Sequence, residues 1–175
     1  MTKKLKALLL SAGLGTRLRP LTNNTPKCLV EINNTPIIEY WLKNLEKINC
    51  SETLVNTHYL YEKVNNYLAK RVKNKMLIKT TFEQKLCGTA GTLLKNRKFF
   101  NNSKIIMIHA DNMTKFNLQD LIDADKERPK NCLMTMLTFN SDNPENCGII
   151  TRNKEMILQD FFEKKKNPPT NIANA

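Results

Sequence analysis

A strand that runs directly into a glycine-rich loop constrains the fold of this chain more than any other stretch. The apolar residues Leu8–Leu10 predict a buried strand, and Gly13 and Gly15 follow shortly after it. Glycine adopts positive φ angles and lets a backbone approach a ligand closely, and small neighbours leave backbone N–H groups free to face an anion. Three cations come next: Arg17, Arg19 and Lys27. The stretch therefore predicts a polyphosphate site.

Two common phosphate-binding loops do not fit this stretch. The P-loop needs a Gly-Lys-Ser/Thr triplet, which the sequence lacks, and the dinucleotide fingerprint needs a third glycine where Leu18 stands. The alternative is a glycine-rich turn with solvated arginines. The longer string over residues 12–22, Ala-Gly-x-Gly-Thr-Arg-Leu-x-Pro-Leu-Thr, is followed by Pro26 and Lys27. It resembles the signature of the sugar-1-phosphate nucleotidyltransferases, also called NDP-sugar pyrophosphorylases.

Composition predicts one folded domain outside the membrane. The 175 residues are 41% hydrophobic and 25% charged, which suffices for a core. No apolar run approaches the length of a membrane span, and the basic amino terminus precedes no signal-peptide core. The five cysteines are widely spaced and form no Cys-x-x-Cys pair, so reduced thiols are expected rather than a disulfide framework or a zinc site. We therefore expect a cytoplasmic protein.

The net charge of +12 raises the alternative of a nucleic-acid-binding domain. Such a surface would interleave aromatic residues with Lys and Arg. The lysines are instead scattered among asparagines, and only 7% of the residues are aromatic. We expect no nucleic-acid partner, and a salt-sensitive affinity for a generic oligonucleotide would contradict this.

Strands and helices are predicted to alternate along the chain, which indicates an α/β domain with a mostly parallel sheet. Apolar residues at helical spacing follow Thr35 and Pro36, which we expect to start a helix. A second helix should end its apolar stripe at Val72, and a third should run through Phe99 and Phe100. Asn117 should cap a fourth. The predicted strands are Lys4–Leu10, Leu29–Ile32, Thr53–Asn56, Met76–Phe82, Lys104–Ile108, Cys132–Thr138, Ile149–Ile150 and Met156–Phe162.

Two further motifs of the family follow strands in the predicted order. Gly88-Thr89-Ala90-Gly91 is similar to the family's second glycine motif, which lines the nucleobase and ribose. Asp111 follows the strand Lys104–Ile108, at a position where the family has a Mg²⁺-binding aspartate, although Ala110 replaces the usual glycine before it. Mg²⁺ prefers hard oxygen ligands that it can share with phosphates. Alone, such residues would as readily start a helix or cap a turn.

The last family motifs concern the sugar. Gly148 lies in a segment that resembles the glycine motif against which the sugar packs. Glu163 and Lys164 resemble the family's Glu-Lys-Pro, with Lys165 in place of the proline. The resemblance implies that Glu163 accepts hydrogen bonds from sugar hydroxyls, that Lys164 meets the sugar phosphate and that Asn174 touches the sugar. A surface charge pair at a strand end is the alternative for Glu163 and Lys164.

The resemblance implies a Rossmann-like three-layer sandwich of the nucleotide-diphospho-sugar transferase type. It also implies a transferase that uses an NTP, a sugar 1-phosphate and Mg²⁺. We expect residues 1–175 to form one catalytic domain that is incomplete at its carboxyl end, because the family's second metal-binding aspartate is missing. The sequence does not decide whether the protein forms a homo-oligomer. The implied catalytic residues are Arg17, Lys27, Asp111 and Lys164, and the implied nucleotide-binding residues are Ala12, Gly13, Gly15, Thr16, Glu83, Gly88 and Thr89.

The spacing of Glu83 relative to Gly88 predicts the nucleobase. In the family, the residue at this spacing forms hydrogen bonds with the edge of the nucleobase. An ionised glutamate only accepts hydrogen bonds, which suits the two adjacent donors of guanine. Gln84 would suit a pyrimidine if the register shifts by one residue. The alternative for Glu83 is a residue that only ends a strand or pairs with a neighbouring lysine. We therefore expect GTP with a mannose- or heptose-type 1-phosphate. The alternatives are a glucose-1-phosphate thymidylyl- or uridylyltransferase and a catalytically silent nucleotide-binding or regulatory module of the same fold.

Overall fold

A computed structural model describes residues 3–71 and 76–175 of the chain. They form two compact units, of which one ends at Phe116 and the other comprises Asn117–Ala175. Val72, predicted to close the stripe of the second helix, lies outside the described residues. None of the helices in the described ranges has both the length and the apolar character needed to cross a membrane.

The first unit is built on a parallel four-stranded sheet with the strand order β5-β4-β1-β6. This confirms the predicted α/β fold with a parallel sheet. A two-stranded hairpin, β2–β3, precedes the first helix. The elements of the unit are β1 (Lys4–Leu10), β2 (Glu31–Ile32), β3 (Thr35–Pro36), α1 (Ile37–Lys47), β4 (Glu52–Thr57), α2 (Tyr61–Lys70), β5 (Leu77–Phe82), α3 (Gly88–Lys95) and β6 (Ser103–His109).

The central strand β1 is covered on both faces. Leu8 and Leu10 pack with Leu54 of β4 and with Leu93 of α3. Ala7 and Leu9, on the opposite face, are fully buried as well. Right-handed crossovers place α1 and α2 on one face of the sheet and α3 on the other, because the chain moves outward to β5 and then returns to β6. The strand order thus reverses at β1 and β6, where α/β sheets usually bind ligands.

Helix α1 confirms its predicted apolar face but begins later than predicted. Its buried residues are Ile37, Ile38, Trp41, Leu42 and Leu45. Thr35 does not cap the helix, because Thr35 and Pro36 pair with β2 as strand β3. Asn33 and Asn34 form the connecting turn with φ angles of 51° and 58°. Two consecutive residues with positive φ are typical of a tight β-hairpin turn, in which asparagine is common.

Helix α3 ends earlier than predicted. It stops at Lys95, and residues 96–102 form turns instead of continuing the helix through Phe99 and Phe100. The Asn96 side chain donates to the Thr92 carbonyl oxygen over 2.9 Å, and such local bonds favour a helix end. Phe100 is nevertheless buried against the sheet.

The second unit contains an antiparallel sheet with the strand order β7-β10-β8-β9. Asn117 caps the preceding helix α4 as predicted, since its side chain accepts from the Gln119 N–H. The short strand β10 was not predicted. The elements of this unit are α4 (Leu118–Lys126), β7 (Thr138–Asn140), β8 (Gly148–Arg152), β9 (Leu158–Glu163) and β10 (Ile172–Asn174).

The strand predicted over Cys132–Thr138 is mostly absent, because β7 begins only at Thr138. The preceding residues are tied to the end of α4 instead of a strand ladder. Arg128 donates to the Cys132 carbonyl oxygen, and the Thr135 hydroxyl donates to Asp125 over 3.2 Å. Alternating polarity therefore did not suffice to define a strand here.

Candidate functional site

The glycine-rich loop leaves the carboxyl end of β1 and turns at Gly15. This residue has a φ of +66°, and a Cβ at this position would lie 3.1 Å from the Thr22 methyl carbon. The Thr22 hydroxyl donates to the Gly15 carbonyl oxygen over 2.7 Å and closes the loop. Ala12 is buried, whereas Gly13 and Thr16 are exposed. A larger residue at position 15 would be strained and crowded.

Two side chains predicted to act on phosphates and metal meet in the first unit. The Lys27 Nζ lies 2.8 Å from the Asp111 Oδ2, and the two side chains are 21% and 27% exposed. Lys27 begins a short 3₁₀ turn, and Asp111 follows β6. The Ala110 N–H donates to the Leu10 carbonyl oxygen over 3.0 Å, which joins the Asp111 segment to the end of β1. A cation and a carboxylate thus sit together where the strand order reverses.

Another predicted cation, Arg17, is exposed in the 3₁₀ turn Thr16–Leu18. The loop that carries it is held from outside by two residues that the sequence did not indicate. The Tyr59 hydroxyl donates to the Asn23 carbonyl oxygen over 2.7 Å, and the Lys63 Nζ donates to the Asn24 carbonyl oxygen. These contacts fix the loop between the glycines and Lys27.

Cys28, next to Lys27, is not equipped to act as a nucleophile. Burial raises the pKa of its thiol to about 12. Because the thiolate is the reactive form, the protonated thiol at neutral pH is inert. The chemistry available in this part of the chain is therefore that of cations and a carboxylate.

Trp41 supports the segment that carries Asp111. Its indole N–H donates to the Asn112 carbonyl oxygen over 2.8 Å, which links α1 to the end of β6. The sequence indicated a core residue here, and the side chain is indeed buried. The hydrogen bond to the Asp111 segment was not foreseen, because a sequence stripe does not show where an indole N–H points.

Trp41 should report on ligands at Asp111, because it is the only tryptophan of the chain. Mg²⁺ with GTP, the ligands that the family resemblance implies, is expected to cause a saturable change in tryptophan emission, since the indole donates to the Asn112 carbonyl oxygen. Fluorescence titration measures this change. The Asp111→Asn variant should lose the Mg²⁺-dependent part of it. An unchanged emission spectrum, while calorimetry detects binding, would contradict the link between the indole and the site.

The second glycine segment opens helix α3. Gly88 is the first residue of the helix and has a φ of +71°. Gly88 and Thr89 are both exposed, so their backbone is accessible from solvent. The positive φ explains the glycine at position 88, because other residues adopt this conformation at a cost.

Glu83 is placed differently from what its spacing predicted. Its side chain is 1% exposed. The Oε1 atom accepts from Asn56 and Thr92 over 3.1 and 2.5 Å, and the Oε2 atom accepts from the Cys87 N–H over 3.0 Å. The predicted contact with a guanine edge does not fit this geometry, because the carboxylate is buried and faces donors inside the protein.

These hydrogen bonds keep Glu83 ionised. Burial by itself would raise the pKa of the carboxyl group. The bonds from Thr92, from the Cys87 N–H and from Asn56, together with the charge of Lys95, outweigh burial and lower the pKa. All three bonding partners donate, so they stabilise the charged form.

Three residues predicted to bind the sugar converge in the second unit. A Cβ at Gly148 would clash with the Asn174 Oδ1, and it would lie 2.6 Å from the Phe161 ring and 3.2 Å from the Glu163 Oε2. Any side chain at position 148 would therefore displace its neighbours. Adjacent strands explain this convergence, since Gly148 lies opposite Glu163 in the β8–β9 ladder. A glycine, a carboxylate and an amide thus share one small surface.

Lys164 follows directly at the end of β9. Its φ is 47°, and its N–H donates to the Cys147 carbonyl oxygen over 3.1 Å. The Lys164 Nζ lies 3.9 Å from the Glu163 Oε1, and the two side chains are 70% and 63% exposed. At this distance and exposure the pair contributes little to stability, so both groups remain accessible to a ligand.

Comparison with known proteins finds relatives that match almost the whole chain. Mannose-1-phosphate guanyltransferase of Pichia angusta is 29% identical over 177 residues, which cover 98% of this chain and 48% of that protein. Mannose-1-phosphate guanylyltransferase 1 of Arabidopsis thaliana is 30% identical with the same coverage. The chain thus spans about half the length of these curated relatives.

The fold is shared with solved structures. A UDP-glucose pyrophosphorylase from Acinetobacter baumanii superposes with a TM-score of 0.79 at 18% identity, covering 99% of this chain and 72% of that one. The sequence profile of the family described as "Nucleotidyl transferase" matches residues 6–175. The chain therefore belongs to the nucleotidyl transferase family.

Proposed function

We propose that this protein transfers a nucleotidyl group from an NTP to a sugar 1-phosphate, which yields an NDP-sugar and pyrophosphate. One observation carries this proposal: Lys27 and Asp111 lie 2.8 Å apart, between the end of the glycine loop and the end of β6. A cation and accessible backbone amides can hold the phosphates of an NTP, and a carboxylate can hold the Mg²⁺ that accompanies it.

The proposed chemistry is positioning combined with electrostatics. An oxygen of the sugar phosphate attacks the α-phosphorus of the NTP, and the bond to the departing pyrophosphate breaks in line with the attack. No general base is required, because that oxygen is already ionised at neutral pH. Arg17 and Lys27 offset the charge of the triphosphate, and Lys164 orients the sugar phosphate. Such preorganised charges are often the largest contribution to catalysis.

The described residues fit Mg²⁺ only as an ion shared with the nucleotide. Residues 3–71 and 76–175 contain no group of three or more His, Cys, Asp or Glu side chains that could form a complete metal cage. Mg²⁺ is often held by one or two carboxylates with substrate phosphates and waters, and Asp111 can supply one of these carboxylates. When bound, the ion would neutralise phosphate charge.

GTP with a mannose-type or heptose-type 1-phosphate is the substrate pair that we favour. Relatives such as the mannose-1-phosphate guanyltransferase of Pichia angusta support this pair. Glu83 does not support it, because its carboxylate is buried. A thymidylyl- or uridylyltransferase is the alternative, and the fold is also found in the UDP-glucose pyrophosphorylase.

The five free thiols favour a reducing compartment, and we propose the cytoplasm.

A competition among nucleotides tests this proposal. The complete protein is given GTP, dTTP, UTP and ATP with mannose 1-phosphate or glucose 1-phosphate, and the NDP-sugars are separated by chromatography. We expect GDP-mannose to dominate. A preference for dTTP or UTP would overturn the guanine assignment, and nucleotide binding without any pyrophosphate release would favour the silent module.

A further inference from the structure

A buried chain of hydrogen bonds connects the carboxyl ends of three strands to helix α3. It starts at Ser11, directly after β1, whose N–H donates to the Asn56 Oδ1 over 2.7 Å. Asn56, in β4, donates through its Nδ2 to the Glu83 Oε1 over 3.1 Å. Glu83, after β5, accepts from Thr92 of α3 and from the Cys87 N–H. All four side chains of this network, Ser11, Asn56, Glu83 and Thr92, are buried.

The donors and acceptors of this network have only one consistent arrangement. The Ser11 N–H can only donate, so the Asn56 oxygen must face it, and the Asn56 amide nitrogen must then face Glu83. The Cys87 N–H and the amide nitrogen both require an acceptor, which an ionised carboxylate supplies. A neutral amide at position 83 would bring an N–H group against another donor, and unsatisfied buried groups are costly.

The network spans the two glycine segments of the proposed nucleotide site. At one end, Ser11 precedes Gly13 and Gly15 of the signature loop. At the other end, the Cys87 N–H, directly before Gly88 at the start of α3, donates to the Glu83 Oε2 over 3.0 Å. A displacement at one segment would therefore break bonds that hold the other, because the linking groups are buried and have no solvent to replace them.

We infer that Glu83, with Asn56 and Thr92, is a positioning residue that fixes the signature loop and the Gly88 segment relative to each other. It therefore sets the affinity for the nucleotide without touching the base. The effect on nucleotide binding rests on the proposed function, whereas the coupling of the two loops does not. If Glu83 read the base edge instead, its replacement would change the preference among nucleotides and leave the loops intact.

Hydrogen exchange of the ligand-free protein tests the coupling. We expect Glu83→Gln and Thr92→Val to increase amide exchange at residues 11–16 as well as 84–92, while strand β6 stays protected. Thr92→Ser keeps the hydroxyl and should restore the parent pattern. Matched controls are Glu62→Gln and Thr80→Val, whose side chains are exposed. Faster exchange at residues 84–92 alone, with residues 11–16 unchanged, would overturn the inference.

Nucleotide affinity provides the second measurement. Calorimetry with GTP, dTTP, UTP and ATP should show affinities lowered by a similar factor for each nucleotide, about tenfold or more in Thr92→Val and Glu83→Gln. A changed order of preference in Glu83→Gln would overturn the inference in favour of base reading. Failure of the parent protein to bind any nucleotide would contradict the proposed function, and the exchange pattern would still decide whether the loops are coupled.

Discussion

Replacing Asp111 by asparagine is expected to reduce Mg²⁺-dependent pyrophosphate release by about a hundredfold or more. The carboxylate follows β6 and already contacts Lys27, so asparagine keeps the shape and removes the charge. A pyrophosphate-release assay on the complete protein measures the loss. The fold should persist, because a partly exposed ion pair contributes at most about 1 kcal/mol to the free energy of unfolding.

The matched control for this prediction is Asp142→Asn. Asp142 is exposed and lies outside the predicted site residues. This variant should keep the parent rate and the parent melting temperature. Parent-like turnover in Asp111→Asn would show that the metal assignment is wrong, and a large fall in its melting temperature would show that the residue is structural.

Arg17→Ala and Lys27→Ala are each expected to lower kcat/KM for the NTP by about a hundredfold. Both cations are proposed to offset the triphosphate charge, and negative charge builds up on the departing pyrophosphate in the transition state. Arg17 is exposed and Lys27 pairs with Asp111 in a solvent-accessible contact, so little packing is lost. Steady-state kinetics over a range of NTP concentrations measures the effect, and the melting temperature should fall by no more than about 4 °C.

Arg97→Ala and Lys98→Ala are suitable controls for these two variants. Both residues are exposed and follow α3, outside the glycine loop. They remove the same charges and should leave the kinetics unchanged. If the control variants slowed the reaction as much as Arg17→Ala and Lys27→Ala, general loss of positive charge would explain the result better than a site.

The parallel sheet could be predicted because its strands are apolar and its helices follow a simple spacing. The stripe from Ile37 to Leu45 fixed the buried face of α1 correctly. The start of that helix was wrong, because Thr35 and Pro36 pair with Glu31 and Ile32. The turn signal was present in Asn33 and Asn34, whose positive φ angles the hairpin uses.

The candidate site shows the same division between local and tertiary information. Motifs predicted that Gly148, Glu163 and Asn174 belong together, and the structure places their atoms side by side. Spacing could not show that Glu83 is buried, because burial depends on what Asn56 and Thr92, distant in sequence, bring to it. Those two residues carry no motif, and their role emerges only from the hydrogen bonds that they make.

The position of β1 in the middle of the sheet has a consequence for the order of folding. β1 pairs with β6, so that Lys4 lies opposite Ser103 and Leu10 opposite His109, and these partners are separated by about a hundred residues, a costly loop to close. During synthesis, the edge of β1 that faces β6 stays unpaired until Ser103–His109 has left the ribosome. The glycine loop follows β1 directly. Asp111 follows closely behind Ser103–His109. A nascent chain can therefore join β6 to the other three strands of this sheet only at the stage when Asp111, the proposed metal ligand, also emerges.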